Sequence, residues 1–274
     1  MTAAVALIQM HCEKGAIDDN LAAIRGHYLA AAERGVAIAL FPEMSLTGYV
    51  VPDRCPGAVL SLGGPEVAAL VSLTHGHSTA LVAGIIEANS TGRPYITQIV
   101  AAHGALQGAY RKISIEEEEA DRFSPGWEYP LFTHRGLTFG VAICADIGHR
   151  EVFAAYARQG ATAVLVAAAP GLYGEQATRN WQSGFNWWRE ECRQGPGAYA
   201  AELGLPIAIA TQAGRTVDED FPGGGYLFGP DGRCLAETLD WREGVLDVRL
   251  PRCRYTPLCH TARRLTQQRV IDNE

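Results

Sequence analysis

A chain of 274 residues with 47% hydrophobic and 19% charged side chains has ordinary globular composition, which excludes disorder, coiled coil and collagen. Its net charge of −7, with no Lys/Arg cluster, argues against a nucleic-acid or acidic-membrane partner, because counterion release needs grouped cations. Seven scattered cysteines without CxxC spacing fit free thiols in a reducing compartment, so the chain is read as cytoplasmic, with no zinc ribbon or disulfide framework.

The first apolar run, residues 3–9, has no basic leader and is followed at once by His11, Cys12 and Glu13, so it reads as a strand and not a signal peptide. Residues 18–33 carry Leu21, Ile24, Tyr28 and Ala31 at helical spacing, with Gly35 where a C-terminal cap belongs. Residues 36–41 form a continuous apolar run, the mark of a strand covered on both faces, ended by Pro42. A second unit opens a helix at Gly64-Pro65 and continues to a strand at 80–86. Residues 96–102 and 105–112 flank His103-Gly104 and read as a hairpin. A third unit runs strand 137–144, helix 151–159 and strand 161–168, followed by a Trp-rich stretch, a helix and strand 207–211. The end is antiparallel in character: 226–228, a Pro230-Asp231-Gly232 turn, then 234–237 and 245–250. No stretch reaches transmembrane length. The alternation predicts an α/β single domain with mixed sheets and helices on at least one face.

Three polar residues stand at or just past strand ends, where open α/β sheets build their sites: Glu43, Lys112 and Cys144. A cysteine at a strand-to-helix turn suits a nucleophile, because backbone N–H groups there can hold an oxyanion and a nearby lysine favours the thiolate. Taken alone, such a cysteine is more often a bland buried thiol, and such a glutamate or lysine a solvated loop residue. His75-Gly76-His77 lacks third and fourth ligands, so no metal is expected.

The wording around the three is more specific. Phe41-Pro42-Glu43 with Gly48-Tyr49, then Tyr110-Arg111-Lys112, then Gly140-Val141-Ala142-Ile143-Cys144-Ala145-Asp146 resemble the motifs of the nitrilase (carbon–nitrogen hydrolase) superfamily. Phe123-Ser124-Pro125-Gly126 and Gly223-Gly224-Gly225 with Pro230-Asp231-Gly232 resemble further landmarks of that family, so the likeness runs to about Arg254. The resemblance implies a four-layer αββα sandwich over residues 1–255, no metal or organic cofactor, and a homodimer or larger homo-oligomer, with the tail 256–274 reaching across a subunit interface. It assigns Cys144 as nucleophile, Glu43 as general base, Lys112 as stabiliser of the tetrahedral intermediate and the Ala145 N–H as oxyanion donor. A second glutamate falls on Glu119, with Glu118 one register off. Small-amide hydrolysis through a thioester is then the expected reaction. Nitrile or N-carbamoyl hydrolysis, or a silent binding protein of the same fold, are the alternatives.

True nitrilases commonly have Trp after the nucleophile, whereas this chain has Ala145, nearer the amidase branches. Gly148 stands where many of those carry an arginine, and Arg150 lies two positions off. Tyr49, Tyr173, Trp127 and Trp187 are aromatic candidates for the pocket wall, and His149, close to Cys144 in sequence, is a further pocket-wall candidate.

Overall fold

The computed structural model describes residues 3–251. The expected tail at 256–274 lies outside them. Two sheets account for most of the backbone. The first takes β1 (Ala4–Gln9), β2 (Ile38–Leu40), β3 (Val59–Leu60), β4 (Ala80–Glu87), β5 (Tyr95–Ala102), β6 (Ala105–Arg111) and β15 (Gly244–Arg249), in the order β15-β1-β2-β4-β5-β6 with β3 against β4. The second takes β7 (Phe132–His134), β8 (Leu137–Ile143), β9 (Ala163–Ala168), β10 (Ile207–Thr211), β13 (Gly225–Phe228) and β14 (Cys234–Glu237), in the order β14-β13-β10-β9-β8-β7. A small ribbon pairs β11 (Ala213–Arg215) with β12 (Asp220–Pro222).

Strand alternation explains the layers. On β1, Val5 and Leu7 pack into a core shared with the second sheet, whereas Ala6 and Ile8 pack beneath α1 (Ile17–Glu33), through Ile24, Tyr28 and Ala31. Helix α2 (Pro65–Ser72) covers the same outer face with Val67 and Leu70. The outer face of the second sheet is covered by α3 (Arg150–Arg158), α4 (Trp181–Cys192) and α5 (Ala198–Leu203), through Phe153, Tyr156, Phe185, Trp188 and Ala200. The result is the αββα sandwich. Because both faces of each sheet are covered, the central strands are apolar throughout, which is why their sequence shows runs and not alternation.

Several short elements escaped the sequence pattern. β3, β7, β11 and β12 span only two or three residues each, too few for any periodicity to register. The Trp-rich stretch is itself helix α4, and the chain continues through a π-turn, Arg193–Gly197, into α5. Pro196, which has no N–H to donate, sits inside that turn and loosens the helical repeat. Helix α3 seats directly on β8: the Tyr156 ring covers Gly140 so closely that a Cβ there would collide, and Tyr156 Oη donates to Val141 O at 2.7 Å.

Topology then places the chemistry. β1, β2 and β4 run parallel, as do β8, β9 and β10. β6 returns antiparallel to β5, which is antiparallel to β4, so β6 ends on the same side as β2. Glu43 follows β2, Lys112 follows β6 and Cys144 follows β8. All three therefore leave strand ends where the inner faces of the two sheets meet.

Candidate active site

Glu43 reaches its position because the chain after β2 crosses over β4 instead of turning away. Gly84 makes the crossing possible: a Cβ there would drive into Met44 N and lie 2.9 Å from Glu43 C. The passage is pinned from three sides. Gln98 Nε2 donates to Phe41 O at 2.9 Å, the Gly84 N–H to Ser45 Oγ at 2.9 Å, and the Leu46 N–H to Gly84 O at 2.9 Å. Met44 adopts φ 47°, a left-handed conformation unusual for a side chain with a Cβ, as befits a segment held by its surroundings.

Lys112 is fixed at its backbone by Lys112 N to Ile96 O at 2.8 Å and Gly126 N to Lys112 O at 2.7 Å. Its Nζ donates to Glu43 Oε1 at 2.9 Å and to both oxygens of Glu119, at 2.9 and 3.0 Å. The lysine and both glutamates are buried. Glu119 closes a 3-10 turn, Glu117–Glu119, and its Oε2 also accepts from the Glu116 N–H at 3.1 Å. Glu118 is exposed, so of the two it is Glu119 that the fold brings against Lys112.

Cys144 begins the 3-10 turn Cys144–Gly148 with φ 38°, again in the left-handed region, and its side chain is half-buried. Asp146 holds this turn from within. Its buried carboxylate accepts from Ile143 N at 2.8 Å, Ser114 N at 2.9 Å and Tyr110 Oη at 2.7 Å. Tyr110 and Ser114 belong to the lysine's side of the molecule, so Asp146 ties the cysteine turn to the strand that delivers Lys112. Ala169, just past β9, donates its N–H to Glu43 Oε2 at 3.1 Å, and also supports the Cys144 sulfur.

The electrostatics follow from burial. Desolvation pushes the Glu43 carboxyl up to about 7; Lys112 and hydrogen bonds from Lys112 and the Cys144 thiol oppose this, while Glu119 adds to it. Burial would pull the Lys112 ammonium down, but Glu43, Cys144 and Glu119 together hold it above its ordinary value. The Cys144 thiol is raised by burial and by Glu43, with Lys112 acting the other way. The ground state is thus a neutral thiol beside a carboxylate whose proton affinity is matched to neutral pH.

The remaining sequence candidates are placed differently. Tyr49 stands at the site but turns its hydroxyl to Glu119 Oε1, to which it donates. Ala145 follows Cys144 within the turn. His149 is exposed at the start of α3, and Tyr173 is 81% exposed. Trp127 pairs with Tyr95 across 6.3 Å on the outside of the first sheet, and Arg150 pairs with Glu202 at 2.5 Å on an exposed face. Gly84, Gln98 and Ala169 were missed by sequence reading. Nothing local marks a glycine or glutamine inside an apolar strand as touching a loop 40 or 57 residues away. Asp146 had a legible signal, an acceptor two residues into a tight turn. Among the described residues, no three or more His, Cys, Asp and Glu side chains are grouped to hold a metal ion, and no helix is long and apolar enough to cross a membrane.

Comparison with known proteins bears on the family and the fold. A probable nitrilase of Schizosaccharomyces pombe is 24% identical over 252 residues, covering 90% of this chain and 88% of that protein. The crystal structure of an amidase from Nesterenkonia sp. superposes with a TM-score of 0.77 at 27% identity, covering 91% of this chain and 90% of that one. The glutamine-dependent NAD(+) synthetase of Acinetobacter baylyi is 24% identical over 87% of this chain but only 42% of its own length, so this chain spans less than half of that protein. The family profile described as carbon-nitrogen hydrolase matches residues 4–258. The protein belongs to the carbon-nitrogen hydrolase family, within the nitrilase superfamily.

Proposed function

We propose that the protein hydrolyses small carboxamides to the carboxylic acid and ammonia, with Cys144 as nucleophile, Glu43 as general base and acid, and Lys112 as electrostatic stabiliser. The observation that carries this reading is the buried Lys112 Nζ held between Glu43 and Glu119, beside a cysteine near enough for both Glu43 and Lys112 to act on its thiol.

Glu43 takes the thiol proton as sulfur attacks the amide carbon, and the carbonyl oxygen becomes an oxyanion. Lys112 and the Ala145 N–H stabilise that charge as it develops, the kind of preorganised field that is worth about 3–4 kcal/mol per donor. Glu43 returns its proton to the departing nitrogen, the C–N bond breaks, and ammonia leaves behind an acyl thioester. A water molecule then attacks, Glu43 takes its proton, and collapse of the second intermediate releases the acid and restores the thiol. Glu119 has both oxygens occupied by Lys112, Tyr49 and the Glu116 N–H, so its part is to hold the lysine and not to exchange protons with substrate.

Likeness to the Nesterenkonia enzyme supports the amide reading. One structure of that amidase carries the acetamide moiety of fluoroacetamide covalently added at its active-site cysteine. Likeness to the S. pombe probable nitrilase supports nitriles as the second reading. Ammonia release from aliphatic, aromatic, dicarboxylic-monoamide and N-carbamoyl substrates, with matched nitriles, separates these. Turnover of an amide subset that vanishes in Cys144→Ala is the expected result. Release that survives in Cys144→Ala, or that occurs with nitriles alone, overturns the proposal.

A further inference from the structure

Beyond Glu43, Lys112 and Cys144, a second buried charge cluster stands beside the site. Asp220, on β12, is fully buried, and its carboxylate accepts four hydrogen bonds: from Gln176 Nε2 at 3.0 Å, Arg179 Nε at 2.8 Å, and Arg215 Nε and Nη2 at 2.8 and 3.1 Å. Arg179 has its remaining donors on three successive carbonyls, Leu172 at 2.9 Å, Tyr173 at 2.5 Å and Gly174 at 3.1 Å. Leu172 N closes the ring by donating to Asp220 O at 2.8 Å. Burial alone would raise the Asp220 carboxyl, yet Arg215, Arg179 and Gln176 hold it below the usual range, so the cluster is ionic.

Those three carbonyls belong to the segment that leaves β9 at Ala169. In the parallel register Ile143 lies opposite Ala167, which sets this segment next to Cys144 at the same strand end. The same β12 supports the other wall: Phe221 packs its ring 6.5 Å from that of Tyr49, whose hydroxyl holds Glu119. A guanidinium that spans three carbonyls and a buried carboxylate is more than a surface ion pair. It is a rigid fork that fixes loop backbone in one conformation.

We infer that Arg179 and Asp220 are positioning residues that hold segment 169–174 as the wall against which the acyl part of the substrate lies. The inference rests on the reading of Cys144 as a nucleophile facing a bound acyl group. A clamp of this kind sets how tightly an acyl chain is held, and leaves the Cys144–Glu43–Lys112 chemistry unchanged.

The test uses saturable alkylation of Cys144 by 2-chloroacetamide and by the bulkier 2-chlorobutanamide. It reads the space beside the thiol whether or not amides are turned over. Wild type is compared with Arg179→Lys and with the double variant Arg179→Gln/Asp220→Asn, which removes both buried charges together and leaves only the exposed Arg215 without its carboxylate. The half-saturation concentration for 2-chlorobutanamide is expected to rise about tenfold in both variants, with a smaller rise for 2-chloroacetamide and limiting rates within about threefold of wild type. Arg179→Lys, which keeps the charge on Asp220 but cannot span three carbonyls, serves if the double variant does not fold. Unchanged half-saturation in a folded variant overturns the inference, as does a collapse of the limiting rate for both reagents. Wild-type inactivity toward every amide would instead overturn the proposed function and leave this result standing.

Discussion

The Ala169 nitrogen lies 3.1 Å from Glu43 Oε2, and this contact joins the two sheets beside Cys144. Glu43 comes from the end of β2 in the first sheet, Ala169 from the end of β9 in the second. The other carboxylate oxygen is taken by Lys112 of the first sheet. The Glu43 carboxylate therefore has no freedom to rotate between partners, and in the proposed mechanism the geometry that would receive the thiol proton exists before substrate arrives. Asp146 does the corresponding work for the proposed nucleophile, holding the Cys144 turn to Tyr110 and Ser114 across the same seam.

The first consequence is a pH profile. Burial pushes the Glu43 carboxyl up to about 7, and the base must be ionised to accept the thiol proton. Below that pH it carries a proton already, so kcat/KM is expected to fall as pH drops through about 7, by tenfold per pH unit well below it. On the alkaline side the Cys144 thiol and the Lys112 ammonium both lie above their ordinary values, so no second limb is expected between pH 7 and pH 9. Initial rates on an amide from pH 5 to pH 9 decide this; a flat profile over the whole range removes Glu43 as the base.

Glu119 and Glu118 separate by burial alone. Glu119→Gln places an amide nitrogen against Lys112 or Tyr49, both donors, and weakens the grip on the lysine. A fall in kcat of about 10²- to 10³-fold is expected, comparable to losing one stabilising donor. Glu118→Gln changes an exposed side chain and leaves the rate within about twofold of wild type. Equal losses in both variants would show that the run 116–119 acts through its summed charge and not through one carboxylate.

How much of this the sequence carried depends on the length of the signal. Long buried strands such as β4, β5 and β8, and the parallel units around them, show as apolar runs, and the three motif strings put Glu43, Lys112 and Cys144 at strand ends before any fold was known. Glu119 needed the structure, because four consecutive glutamates are indistinguishable until a turn buries one. From sequence Tyr49 suits a pocket wall as any aromatic ring there would; only its hydroxyl direction shows that it also holds Glu119. Gly84, Gln98 and Ala169 act through backbone proximity between residues 40 to 126 positions apart, and a single sequence has no term for that.

Lys112→Met tests what the lysine does for the fold. The variant leaves Glu43 and Glu119 buried with no cation between them, and removing one partner of a buried ion cluster typically costs about 3–5 kcal/mol. The loss is expected at pH 8, where both carboxyls are ionised in the unfolded chain and burying them costs most. At pH 5.5 the folded variant takes up a proton on the buried Glu43 carboxyl, already raised by desolvation, so part of the lost stability returns. Chemical denaturation of wild type and variant at the two pH values gives the difference. A variant as stable as wild type at pH 8 would mean that the two carboxylates find water or each other's proton at no cost.

Gly84→Ala is the sharpest test of the route by which Glu43 enters the site. The added methyl meets Met44 N and Gln98 Oε1, the latter at 2.7 Å, and both are held in place, one by a pinned backbone and one by the carbonyls that Gln98 caps. Neither neighbour can retreat without releasing the segment, so the strain is expected to appear as about 1–3 kcal/mol of lost stability. The same displacement moves the Glu43 carboxylate relative to Cys144, and a shift near 1 Å is enough to cost about 10²-fold in rate. Thermal unfolding and kcat/KM on one preparation therefore fall together. Gln98→Glu supplies the contrast: it removes the donor to Phe41 O without adding volume, so a loss in kcat/KM that exceeds its loss in stability would locate the effect in the placement of Glu43 and not in the packing of β4.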